Sequence, residues 1–271
     1  MKKYFICNLV AITLSLSVFG QSINTYENRK NSIGISFGWY RAGLLDKSFS
    51  PLLFIGNGLD ISTNYTWQTT KSLNKIELQF INLPFYPQDH SIKNEFNYTS
   101  HNEAETYKAY PWKAITGNLS YEHLRKLNMN RSGMDLFIGG IINNYIQIIY
   151  PQTWILSYSL GPKGRLQYSI NAKHSFSASW QFPLISMVDR PPYATWNNDV
   201  MYGSIISHFY SGKPMFLNNL FYSKLTIEYT YAFSEKFNFS AVYNNTYYKC
   251  RINRDYTSLI NALNVGLSYK F

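Results

Sequence analysis

The chain has 271 residues and a formal net charge of +10 at neutral pH, and its aromatic residues (18%) outnumber its charged residues (15%). The aromatic content excludes a disordered chain, and a mean hydropathy of −0.24 excludes a bundle of membrane-spanning helices. The Lys and Arg residues are scattered outside any nucleic-acid motif, so we expect no nucleic-acid partner.

The first twenty residues have the features of a secretory signal peptide. Lys2 and Lys3 precede an apolar run that is short for a membrane-spanning helix, and Gly20 suits the position before a cleavage site. We therefore expect residues 1–20 to be removed during export, and a short membrane anchor is the alternative. The remaining residues, 21–271, are predicted to form a single domain.

Alternation of apolar and polar residues predicts strands along the rest of the chain. Around Ile227 and Glu228, for example, every second residue is apolar, which is the period of a strand with one apolar face. The third and fourth segments alternate less cleanly, which leaves eight or twelve strands as alternatives to ten. The predicted strands are 32–42, 58–70, 73–85, 112–126, 134–148, 153–171, 174–187, 219–234, 237–250 and 257–271.

The predicted connections alternate in length, with short turns at one end and the long loops 86–111 and 188–218 at the other. This asymmetry is typical of a transmembrane antiparallel up-and-down β-barrel. The strand at 153–171 keeps its phase through Pro162, which lacks an N–H, so we expect a bulge there. Most aromatic residues fall near predicted strand ends, at the membrane interfaces, but Trp180 falls in the middle of a strand.

The last strand carries the most regular pattern. Its apolar positions are, in order, Leu263, Val265, Leu267, Tyr269 and Phe271. With the signal peptide and the alternating strands, this ending resembles the small outer-membrane β-barrels of Gram-negative bacteria. The resemblance implies location in the bacterial outer membrane. It also implies that the final strand is the assembly signal recognised by the barrel-assembly machinery.

Charged residues at inward-facing strand positions predict a polar network in the barrel lumen. Because both signs are present in nearly equal number, we expect ion pairs that fill a narrow interior, and a narrow pore or ligand channel is the alternative. The network consists of Asp60, Lys75, Glu77, Glu122, Asp135, Lys163, Arg165, Lys224 and Glu228.

The sequence gives little support for an enzyme. The resemblance brings in the chemistries of outer-membrane barrels, but none of the five His residues begins the His-x-Ser pair of barrel lipases and deacylases. His90, Glu103 and Glu105 share a predicted outer loop but lack the surrounding motif of barrel proteases. A rim-sited hydrolase for lipid or peptide therefore stays an alternative without a catalytic residue. No metal or cofactor motif occurs, and Cys250 alone would remain after cleavage.

The 188–218 loop contains the candidate recognition residues. Its aromatic rings suit a sugar or the apolar surface of a partner, although they would equally cover the barrel mouth. We expect a non-enzymatic scaffold that contacts outer-membrane lipid and lipopolysaccharide and binds a surface glycan or an envelope protein. The candidate binding residues are Tyr193, Trp196, Tyr202, His208 and Tyr210.

Overall fold

The computed structural model describes residues 30–47, 53–87, 95–100, 103–108, 112–127, 133–150, 153–190, 212–252 and 255–271. The predicted signal peptide and the candidate recognition residues of the 188–218 loop lie outside these ranges. No helix long and apolar enough to cross a membrane occurs in the described ranges.

The described residues form strands almost throughout. The strands are β1 (Lys30–Asp46), β2 (Leu53–Gln68), β3 (Ser72–Pro87), β4 (Glu95–Ser100), β5 (Glu103–Lys108), β6 (Trp112–Leu127), β7 (Met134–Tyr150), β8 (Thr153–Ser169), β9 (His174–Gln181), β10 (Ile185–Asp189), β11 (Lys213–Phe216), β12 (Leu220–Ala232), β13 (Phe237–Cys250) and β14 (Tyr256–Lys270).

Antiparallel pairing closes the sheet into a barrel of ten strands. The ring runs β1-β2-β3-β6-β7-β8-β9-β12-β13-β14 and closes where β14 pairs with β1. Strand β10 continues the line of β9 beyond Gln181, and β11 continues the line of β12 beyond Leu220. The two short strands pair with each other, so they add no member to the ring. The all-β, up-and-down barrel predicted by the sequence is confirmed, and the count is ten.

The two ends of the barrel differ in their connections. At the short-turn end, polar side chains cap tight turns: Asn171 Oδ1 accepts hydrogen bonds from the backbone N–H groups of Lys173 and His174, both at 2.9 Å. Ser234 Oγ accepts one from the N–H of Phe237 at 2.9 Å. Such side-chain bonds mimic the backbone of a turn and hold a hairpin in register. The opposite end, where β1, β3, β7, β10 and β13 finish, is called the long-loop end below.

The outer surface of the barrel is apolar and the inner surface of its short-turn half is polar. On β1, Ile33, Phe37 and Trp39 point outward and are more than half exposed, while Ser36 and Tyr40 point inward and are buried. Leu263, Val265, Leu267, Tyr269 and Phe271 continue the same outward face on β14 and beyond its end. An apolar exterior around a polar interior is the distribution of a membrane-spanning barrel.

A bulge occurs beside Pro162, but it lies in the neighbouring segment and not in β8, where the sequence predicts it. Strand β8 pairs with β7 in one unbroken register. On its other side, two residues of β8 face three residues, 182–184, between the pairs Lys163–Gln181 and Leu160–Ile185. The carbonyl oxygen of Pro162 accepts a hydrogen bond from Phe182 N–H at 3.4 Å. Since the N and O of a strand residue point to the same side, the missing proline N–H faces this bulge.

Three predicted boundaries also differ from the structure. The strand expected at 174–187 is interrupted at 182–184 by the bulge. The expected loop 86–111 contains the hairpin of β4 and β5, and the expected loop 188–218 contains β11. Strand pairing therefore continues into both long loops, beyond the segments in which apolar residues alternate. Pairing satisfies backbone N–H and C=O groups whether or not one face of the strand is apolar.

Candidate functional site

The lumen of the short-turn half is a polar chamber. Its volume is about 470 Å³, which lies in the range of small-molecule pockets. Eight of the nine predicted network residues line it: Lys75, Glu77, Glu122, Asp135, Lys163, Arg165, Lys224 and Glu228.

Charged side chains in the chamber meet in pairs that reach across an intervening strand, from β8 to β6 and from β8 to β12. Lys163 forms an ion pair with Glu122, and both side chains are nearly buried. Arg165 Nη2 donates to Glu228 Oε2 at 3.1 Å, and Ser177 Oγ donates to the same oxygen at 3.3 Å. These contacts neutralise charges that burial alone would make costly.

Lys75 and Lys224 share one acid, Glu77, and Asp135 forms a separate ion pair at the chamber mouth. Glu77 pairs with Lys75 on its own strand, and its other oxygen lies 3.6 Å from Lys224 Nζ. Asp135 Oδ1 lies 2.6 Å from Lys126 Nζ, and about one-third of each side chain is exposed.

Most of the charge lies on one wall of the chamber. Eight of the charged residues come from β3, β6, β7, β8 and β12, and Lys173 and Lys270 add two more at the short-turn end. In contrast, β1, β2 and β13 contribute neutral side chains such as Ser36, Ser62, Asn64, Ser240 and Asn244. Ser36 Oγ and Ser62 Oγ lie 2.6 Å apart. Small neutral side chains on one wall leave room that the long side chains opposite do not fill, which accounts for an open chamber in a narrow barrel.

Asp60 is the predicted network residue that lies outside the chamber. It is fully buried, and its Oδ2 accepts hydrogen bonds from Gln79 Nε2 at 2.7 Å and from Asn264 Nδ2 at 2.8 Å. Its Oδ1 has no hydrogen-bond partner among the described residues. Asp60 thus marks the blind end of the chamber, where polar lining gives way to apolar side chains.

The lumen of the long-loop half is filled with apolar side chains. This apolar plug includes Leu44, Phe85, Ile155 and Leu220, each almost fully buried, and continues to Cys250. The sequence analysis predicts a polar lumen and does not predict this plug. The signal for it exists on β1, whose inward positions change from serine and glycine to tyrosine, alanine and leucine toward the long-loop end.

Tyrosine rings pack against one another in the apolar plug, where Tyr222, Tyr248 and Tyr256 are buried. The ring of Tyr248 stacks on Tyr145 at 5.7 Å and meets Tyr222 and Tyr256 edge-on at 6.1 Å and 5.6 Å. Tyr256 OH donates to Gln147 Oε1 at 2.5 Å. Aromatic contacts of this kind stabilise the plug beyond the area that the rings bury.

A buried ion pair lies beside Tyr256 at the long-loop end. Arg190, which follows β10, pairs with Asp46 at the end of β1, and both side chains are inaccessible to solvent. The Arg190 guanidinium also lies 5.3 Å from the centre of the Tyr256 ring. The pair joins opposite sides of the barrel mouth and fixes the position where residue 190 leaves the barrel.

An exposed ion pair at the same end behaves differently. Lys47 Nζ lies 3.1 Å from Asp255 Oδ2, and about half of each side chain is exposed. The hydrogen bond from Lys47, reinforced by its charge, lowers the pKa of Asp255.

Catalytic geometry is not found among the described histidines. His123 Nδ1 lies 2.6 Å from Asn74 Oδ1, and His174 Nδ1 lies 2.7 Å from Tyr229 OH. Within the described ranges, no group of three or more His, Cys, Asp or Glu residues is arranged to hold a metal ion. The side chains of His90, His208, Glu103 and Glu105 lie outside what the structure describes, as do Tyr193, Trp196, Tyr202 and Tyr210.

No protein-family model matches the sequence, and no curated protein matches it significantly. Solved structures of similar shape include the outer-membrane protease OmpT from Escherichia coli, with 8% identity and a TM-score of 0.49 over 93% of this chain and 99% of that one. An outer-membrane channel from Pseudomonas putida F1 has 8% identity and a TM-score of 0.46 over 93% and 100%. Neisserial surface protein A has 9% identity and a TM-score of 0.36 over 88% and 97%.

Proposed function

We propose that this chain is an integral outer-membrane barrel that acts as a closed, non-enzymatic scaffold and carries a recognition surface at its long-loop end. The observation that supports this role most directly is the apolar plug, which fills the lumen above the chamber and leaves it blind. A blind lumen does not suit a solute channel.

The buried Arg190–Asp46 pair supports the second part of the proposal. Breaking one partner of a buried pair leaves a charge without compensation, at a cost of about 3–5 kcal/mol, so the pair holds the start of the 188–218 loop firmly against β1. A loop held on a rigid scaffold is suited to recognition. Its aromatic residues Trp196, Tyr202 and Tyr210 are the proposed contacts with a surface glycan or an envelope protein.

The environment of the barrel follows from its surface. The proposed location is the bacterial outer membrane, with the apolar exterior against lipid and the net positive chain beside lipopolysaccharide phosphates. The long-loop end would face outward and the short-turn end inward, as in other bacterial barrels.

The test combines electrical recording with partner capture. We expect the wild-type protein to give no single-channel steps in a planar bilayer and to co-purify with a glycan or an envelope protein. Replacing 194–213 with a Gly-Ser connector should abolish co-purification and leave the membrane non-conducting.

Three results would contradict the proposal. Steps from the wild-type protein would favour a channel, and unchanged co-purification by the shortened variant, with new conductance, would make the loop only a cover for the mouth. A shortened variant that differs in neither measurement would remove the loop from both roles.

A further inference from the structure

One ladder of the barrel is incomplete at mid-height. Strands β9 and β12 pair regularly from Tyr231–His174 to Lys224–Gln181, and pairing resumes only at Phe216–Ile185 between β11 and β10. Three residues, 182–184, separate the pairs on one side, and seven, 217–223, separate them on the other. These two segments are called the lateral seam.

Backbone groups of β12 face the seam without a strand partner. Ala232 N–H bonds to the carbonyl oxygen of Lys173, and Asn219 O accepts from Arg251 N–H, so even-numbered residues of β12 point toward β9 and odd-numbered ones toward β13. The amides of Leu220 and Tyr222 therefore point into the seam, where the described residues provide no ladder. Such groups are costly at membrane depth unless they border a cavity or are covered.

Two side-chain hydrogen bonds bridge the seam in place of the ladder. On the outer surface, Trp180 Nε1 donates to Ser223 Oγ at 2.8 Å. On the inner surface, Gln181 Nε2 donates to Tyr222 OH at 3.3 Å. This explains the position of Trp180 in the middle of a strand. Side-chain bonds can break and re-form by rotamer changes, which a backbone ladder cannot do.

The seam connects an apolar surface to the polar chamber. Its outer rim consists of exposed apolar side chains, namely Leu184, Ile185, Phe216, Leu217 and Phe221. Its lower end is the Lys224–Gln181 pair, and both residues also line the chamber. Six cationic and four acidic side chains line the described chamber, which gives an excess of two positive charges. An apolar entrance beside a cationic chamber matches a molecule with an apolar tail and an anionic head.

We propose that the lateral seam is a binding site and portal for a single-chain anionic phospholipid, with its acyl chain between the seam segments and its phosphate head in the chamber near Lys224. Between the pairs Lys224–Gln181 and Phe216–Ile185 no backbone ladder fixes the separation of the two segments, so they can part to admit one acyl chain once the two side-chain bonds break. The chamber volume suits a glycerophosphate head better than a lone carboxylate.

Photo-crosslinking tests the position of the acyl chain. Benzoylphenylalanine replaces Phe221 at the seam, and the matched control replaces Tyr243, which is similarly exposed but has strand partners on both sides. With lysophosphatidylglycerol as probe, we expect saturable labelling at residue 221 and weak, unsaturable labelling at residue 243. A second probe position, Phe216, covers the case in which the Phe221 variant does not fold.

The head group is tested by competition and by removal of one charge. We expect zwitterionic lysophosphatidylcholine and oleate to compete poorly. Lys224→Gln should weaken binding about tenfold, the usual loss for one charge-assisted hydrogen bond. Equal labelling at residues 221 and 243, or labelling indifferent to head charge and to Lys224→Gln, would overturn the proposal. Preference for oleate would overturn the assignment to a phospholipid.

The bridging bonds are tested by the rate of labelling. Ser223→Ala removes the outer bridge, so we expect the residue 221 probe to be labelled faster at the same final level. Tyr243→Phe, which removes an exposed hydrogen bond to Asn261 on intact ladders, is the control and should not change the rate. An unchanged rate in Ser223→Ala would mean that this bond does not control entry.

Discussion

At the scale of single residues, Gly161 illustrates how the barrel accommodates its bulge. A Cβ atom at Gly161 would lie 2.1 Å from the carbonyl oxygen of Phe182 and 2.5 Å from Cα of Pro183. Both atoms belong to the backbone of the bulge, so they cannot move aside as a flexible side chain would. Only glycine allows β8 and the bulge to approach this closely.

We therefore predict that Gly161→Ala destabilises the barrel by about 1–3 kcal/mol, the usual cost of overpacking. The matched control is Gly164→Ala on the same strand, where a Cβ atom would meet nothing within 4 Å. Urea titration of both variants in lipid vesicles measures the difference. Equal midpoints for the two variants would contradict the close approach at Gly161.

A second residue-scale prediction concerns burial of ion pairs. Glu122→Gln leaves Lys163 with an uncompensated charge in a nearly buried position. We therefore expect the free energy of unfolding to fall by about 3–5 kcal/mol. Asp255→Asn breaks the exposed Lys47 pair and should not change stability measurably. Free energies of unfolding at neutral pH compare the two variants, and a larger loss for Asp255→Asn would reverse the argument.

The direction of pH dependence follows for the exposed pair. The pKa of Asp255 is lowered in the folded protein, so the small contribution of its charge is complete above its ordinary pKa. It disappears as the pH falls through the lowered value. The Asp255→Asn variant should therefore match the wild type in acid as well as at neutral pH.

At the scale of strands, most of the fold was predictable because apolar alternation reports which face meets lipid. The ten barrel segments follow that signal closely, from β1 to β14. The hairpin of β4 and β5 was not predicted, because each strand has only six residues and too few apolar positions to establish a period. Alternation also cannot say which of two paired strands holds an extra residue, so the bulge opposite Pro162 was assigned to β8. The apolar plug was missed because inward positions were all expected to be polar.

The facing of β12 gives a direct test at this scale. Ile227 is exposed on the apolar exterior, and its neighbour Glu228 points into the chamber. Ile227→Arg should cost about 2–4 kcal/mol, the penalty for a cation in mid-membrane. Glu228→Gln should cost less, because the Glu228 side chain is one-quarter exposed and its pair with Arg165 is partly screened by solvent. Denaturant titration in lipid ranks the two, and the reverse order would mean that the strand faces are exchanged.

The last strand yields a prediction about assembly. Phe271 follows β14, is exposed on the outer surface, and donates its N–H to the carbonyl oxygen of Asn31 at 2.9 Å. Since the sequence resembles barrels whose final aromatic residue is an assembly signal, we expect Phe271→Asp to reduce insertion into the outer membrane. Phe233→Asp, which changes another exposed aromatic residue at the short-turn end, is the control. The heat-modifiable fraction of each protein measures insertion, and equal yields would contradict a special role for Phe271.

At the scale of the whole molecule, the lumen is divided into a polar half and an apolar half. Cysteine labelling can report this division, because Cys250 is fully buried in the apolar plug. In protein lacking residues 1–20, Cys250 should not react with a charged thiol reagent until the barrel is denatured. A cysteine in place of Thr230, which lines the chamber, should react in the folded state. Rapid labelling of native Cys250 would mean that water passes the plug.

The pairing of β1 with β14 has a consequence for how the chain acquires its structure. Ser32 lies opposite Lys270, so the contact that completes the ring joins positions 238 residues apart. Pairings this distant in sequence form slowly, because the intervening chain loses much freedom before any bond is gained. Until the final strand arrives, the first and next-to-last strands keep bare edges able to pair with another molecule. The newly made chain therefore depends on being kept apart from its own copies until β14 is in place.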